Sequence, residues 1–338
     1  MPLTPAAERE LLTSLLKQVS RSFYLTLRTL PRAIRRQIGL AYLLARTTDT
    51  IADTEIIPVA QRLEALQRLR ERILGTSNNA LGFGELAKQQ GLPAERVLLE
   101  RVEESLKLLT TLPEQDVKLI REVLETITSG QELDLRRFDG ASEKNIIALK
   151  NDSELDDYTY RVAGCVGLFW TNICRAHLFP DAQFHDETKW HHEALCFGKG
   201  LQLVNILRDA PKDLRHGRCY LPLDQLSKAG LSPADLLKPE NEQRLRPVYN
   251  SYLDRAHAYL SAGWNYTNTI PRDQMRLRLA CAWPVLIGLK TIKRLRTEPA
   301  FDPVKRVKAS RAEVRGILLR SVLLYPFPRT WQRLGLHI

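Results

Sequence analysis

Apolar side chains recur along this chain at the three- and four-residue spacing of helices, and no convincing alternating strand is present. The spacing predicts helices over about 5–18, 32–54, 58–75, 95–111, 114–138, 153–179, 186–213, 240–268, 273–296 and 308–324. Punctuation supports several starts: Pro31, Pro58 and Pro303 sit close to predicted N-termini, and Pro113 precedes an acidic first turn, Glu114 and Asp116. Connections are short, near 76–82, 139–151 and 215–222, with no repeat and no low-complexity linker. The simplest architecture is one all-α domain over residues 1–338, with helices stacked around a central cavity.

Two of these helices carry a polar stripe. On the helix predicted at 32–54, Tyr42, Arg46, Asp49 and Asp53 fall on one line, beside an apolar line of Ile34, Ile38, Ala41 and Ala45. A phenol, a guanidinium and two carboxylates are costly to bury without partners. The plain alternative is a solvated face on which Arg46 pairs with Asp49 or Asp53. The helix predicted at 186–213 repeats the design with Gln202, Asn205, Asp209 and Asp213, now surrounded by Leu201, Leu203, Val204 and Ile206. Polar groups amid leucines favour a ligand-facing site over a solvated one. Pro211 disfavours helical geometry at Ala210 and threatens the turn before Asp213, which sets Asp213 apart as a ligand.

Carboxylates four apart on a helix repel by a few tenths of a kcal/mol. Two such pairs in one chain suggest a hard cation, because Mg²⁺ commonly binds through one or two carboxylates plus substrate phosphates. The expectation is that the fold brings the pairs together across the cavity, gripping a diphosphate through Mg²⁺. Arg208, Arg215 and Arg218 follow closely and offer planar forks for phosphate oxygens, with Arg215 the one read as a plain ion pair. A third constellation runs from Tyr158 to Gly167. Its glycines, Gly164 and Gly167, fit close approach of either a neighbouring helix or an elongated apolar ligand. His191-His192-Glu193 reads as surface rather than metal site, and Trp264 and Trp283 as core.

Composition narrows the partners. Of 338 residues, 44% are hydrophobic and 26% charged, as in a soluble globular protein, and the net charge of +11 admits anionic partners. Lys and Arg are spread along the chain with no nucleic-acid motif, so nucleic acid is not an expected partner. Five cysteines without CxxC spacing read as buried, reduced thiols of a cytoplasmic protein. The N-terminus shows no signal-peptide core, and no apolar run approaches a membrane span. The lipophilic tail over 316–338, beginning Gly316-Ile-Leu-Leu, is either a core-facing terminal helix or a peripheral contact with the inner face of a membrane.

Taken in order, Ser20-Arg21-Ser22-Phe23, the Tyr42–Asp53 line, Tyr158 with Val162-Ala163-Gly164 and Gly167, Gln202 to Asp213, and Arg218-Cys-Tyr220-Leu-Pro222 resemble the squalene and phytoene synthase family. The resemblance runs from about residue 15 to 295. It implies an all-α isoprenoid-synthase fold and the head-to-head joining of two prenyl diphosphates, here farnesyl diphosphate. By that resemblance Asp49, Asp53, Asp209 and Asp213 would hold Mg²⁺. Arg46, Arg208 and Arg218 would steady the pyrophosphate, helped by Ser20, Arg21, Gln202 and Asn205. Tyr42 and Tyr158 would face the reacting carbons, with Tyr158 in proton transfer or cation stabilisation, while Phe23, Val162 and Gly167 would line the prenyl chain and Tyr220 would lie with the substrate-binding groups.

Within the family, Leu279-Ala-Cys-Ala-Trp-Pro284 and the basic segment after Val307-Lys308 look more like squalene synthases. That subtype forms presqualene diphosphate and then reduces it to squalene with NADPH, and Lys308 is a candidate contact for that cofactor. The first motif, Asp-Thr-Ile-Ala-Asp, is less acidic than squalene synthases often show, which keeps the non-reductive members in view: presqualene diphosphate, dehydrosqualene or phytoene synthases. No GxGxxG fingerprint points to a Rossmann module, and no DDxxD motif points to a terpene cyclase or a chain-elongating enzyme.

Overall fold

Helix dominates the chain, as the apolar spacing predicts, and the fold is all-α. The computed structural model describes residues 3–20, 23–299 and 307–335. The chain divides into two compact units: Met1–Arg136 with Phe169–Asp181, and Arg137–Leu168 with Ala182–Ile338.

The first unit is built on α1 (Arg32–Ala52), α2 (Val59–Leu74), α3 (Pro93–Glu100), α4 (Val102–Leu109) and α5 (Glu114–Arg137). α1 buries Ile34, Ile38, Leu40, Leu43 and Leu44, and α2 buries Leu66, Leu69 and Ile73. Each such side chain contributes roughly 1.5–3 kcal/mol when fully buried. α2 stops at Gly75, whose φ of +79° is the left-handed C-terminal geometry that glycine adopts without strain. The single helix predicted over 95–111 is two, because Arg101 leaves helical geometry at φ −101° and ψ 13°. Arg101 is held there by Glu104 and Glu10, at 2.7 and 3.1 Å. The acidic first turn of α5 is present, but Asp116 is buried, accepting from Gln37 Nε2 at 3.0 Å and lying 2.8 Å from His177 Nε2.

The second unit opens with a two-residue strand, β1 (Ile147–Ala148), then α6 (Asp152–Thr159), which runs into a π-helical turn over Tyr160–Gly164 and a further helix over Cys165–Leu178, of which the part from Phe169 on is counted with the first unit. α7 (Glu187–Arg215) is followed by β2 (Arg218–Cys219), which pairs in parallel with β1. α8 (Glu242–Thr269) and α9 (Met275–Thr297) bury Leu253, Leu260, Leu286 and Leu289 in the same apolar cluster as Leu203 and Leu207 of α7. The β pair escapes sequence reading, since two residues are too few to alternate. Trp264 and Trp283 lie in the core as expected, and all five cysteines are buried and unpaired. The reading of 191–193 as surface holds only in part: Glu193 is buried, and burial raises its pKa.

The tail is two-sided where it is described. α10 (Arg311–Leu324) packs Ile317 and Leu318 on the core, and Ser321 Oγ accepts from Trp283 Nε1 at 2.9 Å. On the opposite side Leu319, Leu323 and Phe327 are exposed, at 61%, 60% and 60%. No helix among the described residues is long and apolar enough to cross a membrane.

Candidate functional site

In the first unit, the polar line of α1 ends at Asp53, which is the C-cap at φ −84° and ψ −3° rather than a residue of the helix. The buried Arg62 helps fix that end, its Nη1 donating to the Ala52 carbonyl at 2.7 Å, a favourable contact for a guanidinium at a helix C-terminus. Asp49 accepts from Gln131 Nε2 of α5 at 2.5 Å. Arg46 pairs mainly with Glu95 of α3 and sits only 3.9 Å from Asp49, so the pairing expected within the stripe is secondary. Desolvation and the Asp53 carboxylate push Asp49 up to about 6, against the pull of Arg46 and the Gln131 hydrogen bond. Its side chain still keeps 48% of its surface open, so water and ions reach it. Phe23 stacks on Tyr42 with centroids 5.3 Å apart. Ser20 is buried with no hydrogen-bond partner for its hydroxyl among the described residues, and Arg21 lies outside them.

In the second unit, α7 continues through Pro211 to Arg215, so the expected break before Asp213 does not occur and Asp209 and Asp213 remain four apart on one helix. Asp186 caps its start, accepting from Lys189 N at 2.8 Å. Asp209 is gripped by Arg208 through Nε at 3.0 Å and Nη2 at 2.6 Å. Arg208 therefore makes an ion pair of the plain kind that the sequence reading gave first to Arg215. Desolvation and Asp209 push Asp213 up to about 7, with Lys212, Arg218 and His216 pulling the other way. Gln202 and Asn205 are half-buried on the same helix.

The β pair places the rest. Gly217, at φ +76°, leads into β2, and its carbonyl accepts from Ile147 N at 2.8 Å. A Cβ there would lie 2.1 Å from Ser142 N, so only glycine fits. The strand delivers Arg218 and then Tyr220, which stacks on Tyr158 at 4.8 Å and meets Phe138 edge-on at 5.2 Å. Asp213, Arg218 and Tyr220 line one small pocket of about 10 Å³, sized for a water rather than a diphosphate. Close approach at Gly167 is made by a helix: a Cβ there would lie 2.0 Å from the Ala194 carbonyl oxygen. Val162 sits in the π turn, half-buried, and Lys308 is exposed in coil before α10.

Gln131 and Glu95 are the partners that sequence reading missed, because each reaches the α1 stripe from another helix. The donor set suits Mg²⁺. Each pair offers two crowded carboxylates, and in one of each, Asp49 and Asp213, the pKa is raised first by desolvation and then by the neighbour's charge, a repulsion that a cation would relieve. Among the described residues no group of three or more His, Cys, Asp or Glu is placed to cage a metal. Mg²⁺ seldom uses such cages, taking one or two carboxylates and completing its shell with water and phosphate.

Comparison with known proteins gives the same direction as the motifs. The family model described as squalene/phytoene synthase matches residues 16–313. A 15-cis-phytoene synthase of Synechocystis is 30% identical over 283 residues, covering 82% of this chain and 72% of that protein. A presqualene diphosphate synthase of Zymomonas mobilis is 28% identical over 304 residues, covering 89% of each. A solved structure described as TcSQS in complex with the ligand E5700 superposes with a TM-score of 0.76 at 21% identity, covering 98% of this chain and 92% of that one, which speaks for the fold.

Proposed function

Because the chain belongs to the squalene/phytoene synthase family, we propose that it joins two molecules of farnesyl diphosphate head to head, through presqualene diphosphate, and reduces the product to squalene with NADPH. The observation that carries the first half is the two Asp couples, Asp49 with Asp53 at the C-terminal end of α1 and Asp209 with Asp213 on α7, each beside a guanidinium and each in a unit that also stacks two aromatic rings.

Mg²⁺, when bound to these carboxylates, supplies positive charge to the departing pyrophosphate. The chain's own groups do the rest. Arg46, Arg208 and Arg218 present forks to phosphate oxygens. Gln202 and Asn205 supply further hydrogen bonds, and Ser20 has a hydroxyl to spare. The rings of Tyr42 and Tyr158, each backed by a stacked neighbour, face the cation left on the prenyl carbon and hold it away from water. Phe23 and Val162 provide apolar contact for the chain of the substrate, and Tyr220 fixes the ring of Tyr158. Gly167 serves this surface by letting α7 approach.

The second half rests on Leu279–Pro284 and on Lys308, exposed and cationic, as a contact for the phosphate of the reductant. The matched phytoene and presqualene diphosphate synthases favour a second reading in which the reaction ends without reduction. Incubation with farnesyl diphosphate and Mg²⁺, with and without NADPH, followed by mass identification of the lipid, separates them. Squalene only with NADPH supports the reductive reading, and a product unchanged by NADPH overturns it. No head-to-head product under either condition overturns the function itself.

A further inference from the structure

Pro211 lies between the two aspartates of α7 and has no N–H to give. In an unbroken helix its hydrogen would have gone to the carbonyl four residues earlier, that of Leu207. Leu207 is fully buried, so water cannot stand in. A buried carbonyl left without a donor costs about 1–3 kcal/mol, and the proline ring also pushes against that same carbonyl. Both effects act between Leu207 and Pro211, a turn that overlaps the Asp209–Asp213 interval, so a change in helix pitch there would move one carboxylate relative to the other.

The structure supplies a donor from another helix. Tyr249 of α8, itself fully buried, donates its hydroxyl hydrogen to the Leu207 carbonyl oxygen at 2.9 Å. Burial raises the phenol's pKa, so the hydroxyl keeps its proton across the working range. Arg246 lies over the Tyr249 ring at 5.8 Å and helps hold it in place.

We infer that Tyr249 is a positioning residue: its hydroxyl takes over the hydrogen bond that Pro211 cannot make, and so keeps Asp209 and Asp213 at the spacing that binds Mg²⁺ with a pyrophosphate group. The metal part of this inference rests on the function proposed above. The splint itself does not, because it concerns α7 and α8 alone. Tyr249 touches no reacting atom; it acts through the backbone of α7.

The test is a cycle of Tyr249→Phe, Pro211→Ala and the double variant. Binding of Mg²⁺ with inorganic pyrophosphate is followed by calorimetry, and amide hydrogen exchange is followed over 208–215. Tyr249→Phe is expected to weaken binding about tenfold, as removal of groups that orient metal ligands does, and to speed exchange across that segment. Pro211→Ala restores an N–H opposite Leu207, so the double variant is expected to return to within about twofold of the unaltered protein in both readouts. A tyrosine needed only to fill space would show no such rescue. Unchanged binding and exchange in Tyr249→Phe overturns the inference, and so does a double variant as impaired as the single one. If the unaltered protein binds no Mg²⁺ with pyrophosphate, the proposed function and the metal role of Tyr249 fall together. The splint is then judged on exchange alone, where absence of the effect or of its rescue overturns it.

Discussion

Arg208 closes on its sequence neighbour Asp209 with two hydrogen bonds, at 3.0 and 2.6 Å, so the guanidinium occupies the carboxylate that a cation would use. Bidentate contacts of this kind are among the stronger side-chain pairs. On the proposed function, Mg²⁺ held by Asp209 would displace Arg208, and the freed fork would be available for a phosphate oxygen. Replacing Arg208 by Gln separates the two roles. Mg²⁺ affinity of the substrate-free protein is expected to rise about tenfold, about 1.4 kcal/mol, because no guanidinium competes. Turnover with farnesyl diphosphate is expected to fall on the order of 100-fold. Calorimetry and steady-state kinetics on the same preparation check both, and weaker Mg²⁺ binding in Arg208→Gln would refute the exchange.

The corresponding control in the first unit is Gln131, whose amide donates to Asp49. That hydrogen bond lowers the pKa of Asp49 against desolvation and the repulsion from Asp53. Gln131→Leu removes it, so Asp49 holds its proton to higher pH and loses orientation. The Mg²⁺ concentration for half-maximal rate is expected to rise roughly 10- to 100-fold, with kcat at saturating Mg²⁺ much less affected. A kcat loss with unchanged Mg²⁺ dependence would assign Gln131 a different role.

Stability should depend on pH in a direction set by Asp213. Its folded pKa is raised to about 7 from an ordinary value of 3.8. Between those values the folded chain holds a proton that the unfolded chain has released. The contribution is fully present below about pH 4 and is lost as pH rises through about 7. Asp49, pushed up to about 6, acts in the same sense. Metal-free protein should therefore lose thermal stability between about pH 4 and pH 7 from these groups, and Mg²⁺ should raise Tm more at pH 8 than at pH 6, since protons compete with the metal. Asp213→Asn should flatten the metal-free profile and shrink the Mg²⁺ shift. Differential scanning fluorimetry at several pH values is the check, and a larger Mg²⁺ shift at pH 6 would reverse the argument.

The exposed side of the tail makes a different prediction. Leu319 and Leu323 are four apart on α10, both more than half exposed, with Arg315 and Arg320 exposed beside them. An apolar row flanked by arginines suits the surface of an anionic bilayer. Cosedimentation with phosphatidylcholine vesicles containing phosphatidylglycerol is expected to be strong at low salt, weaker at high salt, and largely lost in Leu319→Ser with Leu323→Ser. Equal binding by that variant would place any membrane contact elsewhere.

Helix identity was legible because periodicity accumulates over many residues, as along α7 and α8, and the Asp couples were legible because their spacing is local, within α7 or at the last turn and C-cap of α1. What depended on a second element was not. The break at Arg101 is invisible because apolar spacing continues from Leu99 to Val102, and only the contacts of Arg101 with Glu10 and Glu104 show why the backbone turns. Gln131 and Glu95 reach α1 from elsewhere in the chain, so no local pattern announces them. Pro211 was read as a break by the rule for an isolated helix, and the core donor from Tyr249 belongs to tertiary structure. The glycines after Tyr158 were compatible with a helix or a ligand, and it took the Ala194 carbonyl to decide for the helix.

That decision is open to a direct test through a contrast of two glycines. A Cβ on Gly167 would lie 2.0 Å from the carbonyl oxygen of Ala194, and the obstacle is backbone in the middle of α7, which cannot swing aside as a side chain would. Gly316 sits inside α10 with nothing within 4 Å of its would-be Cβ. Both lie in helical backbone, so alanine improves local propensity by about 0.5–1 kcal/mol at each. At Gly316 that gain should appear as a small rise in stability. At Gly167 it should be overwhelmed by a loss of about 3 kcal/mol, the upper range for an overpacked core, because α7 must move away. Chemical denaturation of the two variants measures the contrast. If Gly167→Ala were as benign as Gly316→Ala, the close passage of the two helices would be wrong, and the glycine would have to be explained by something other than packing.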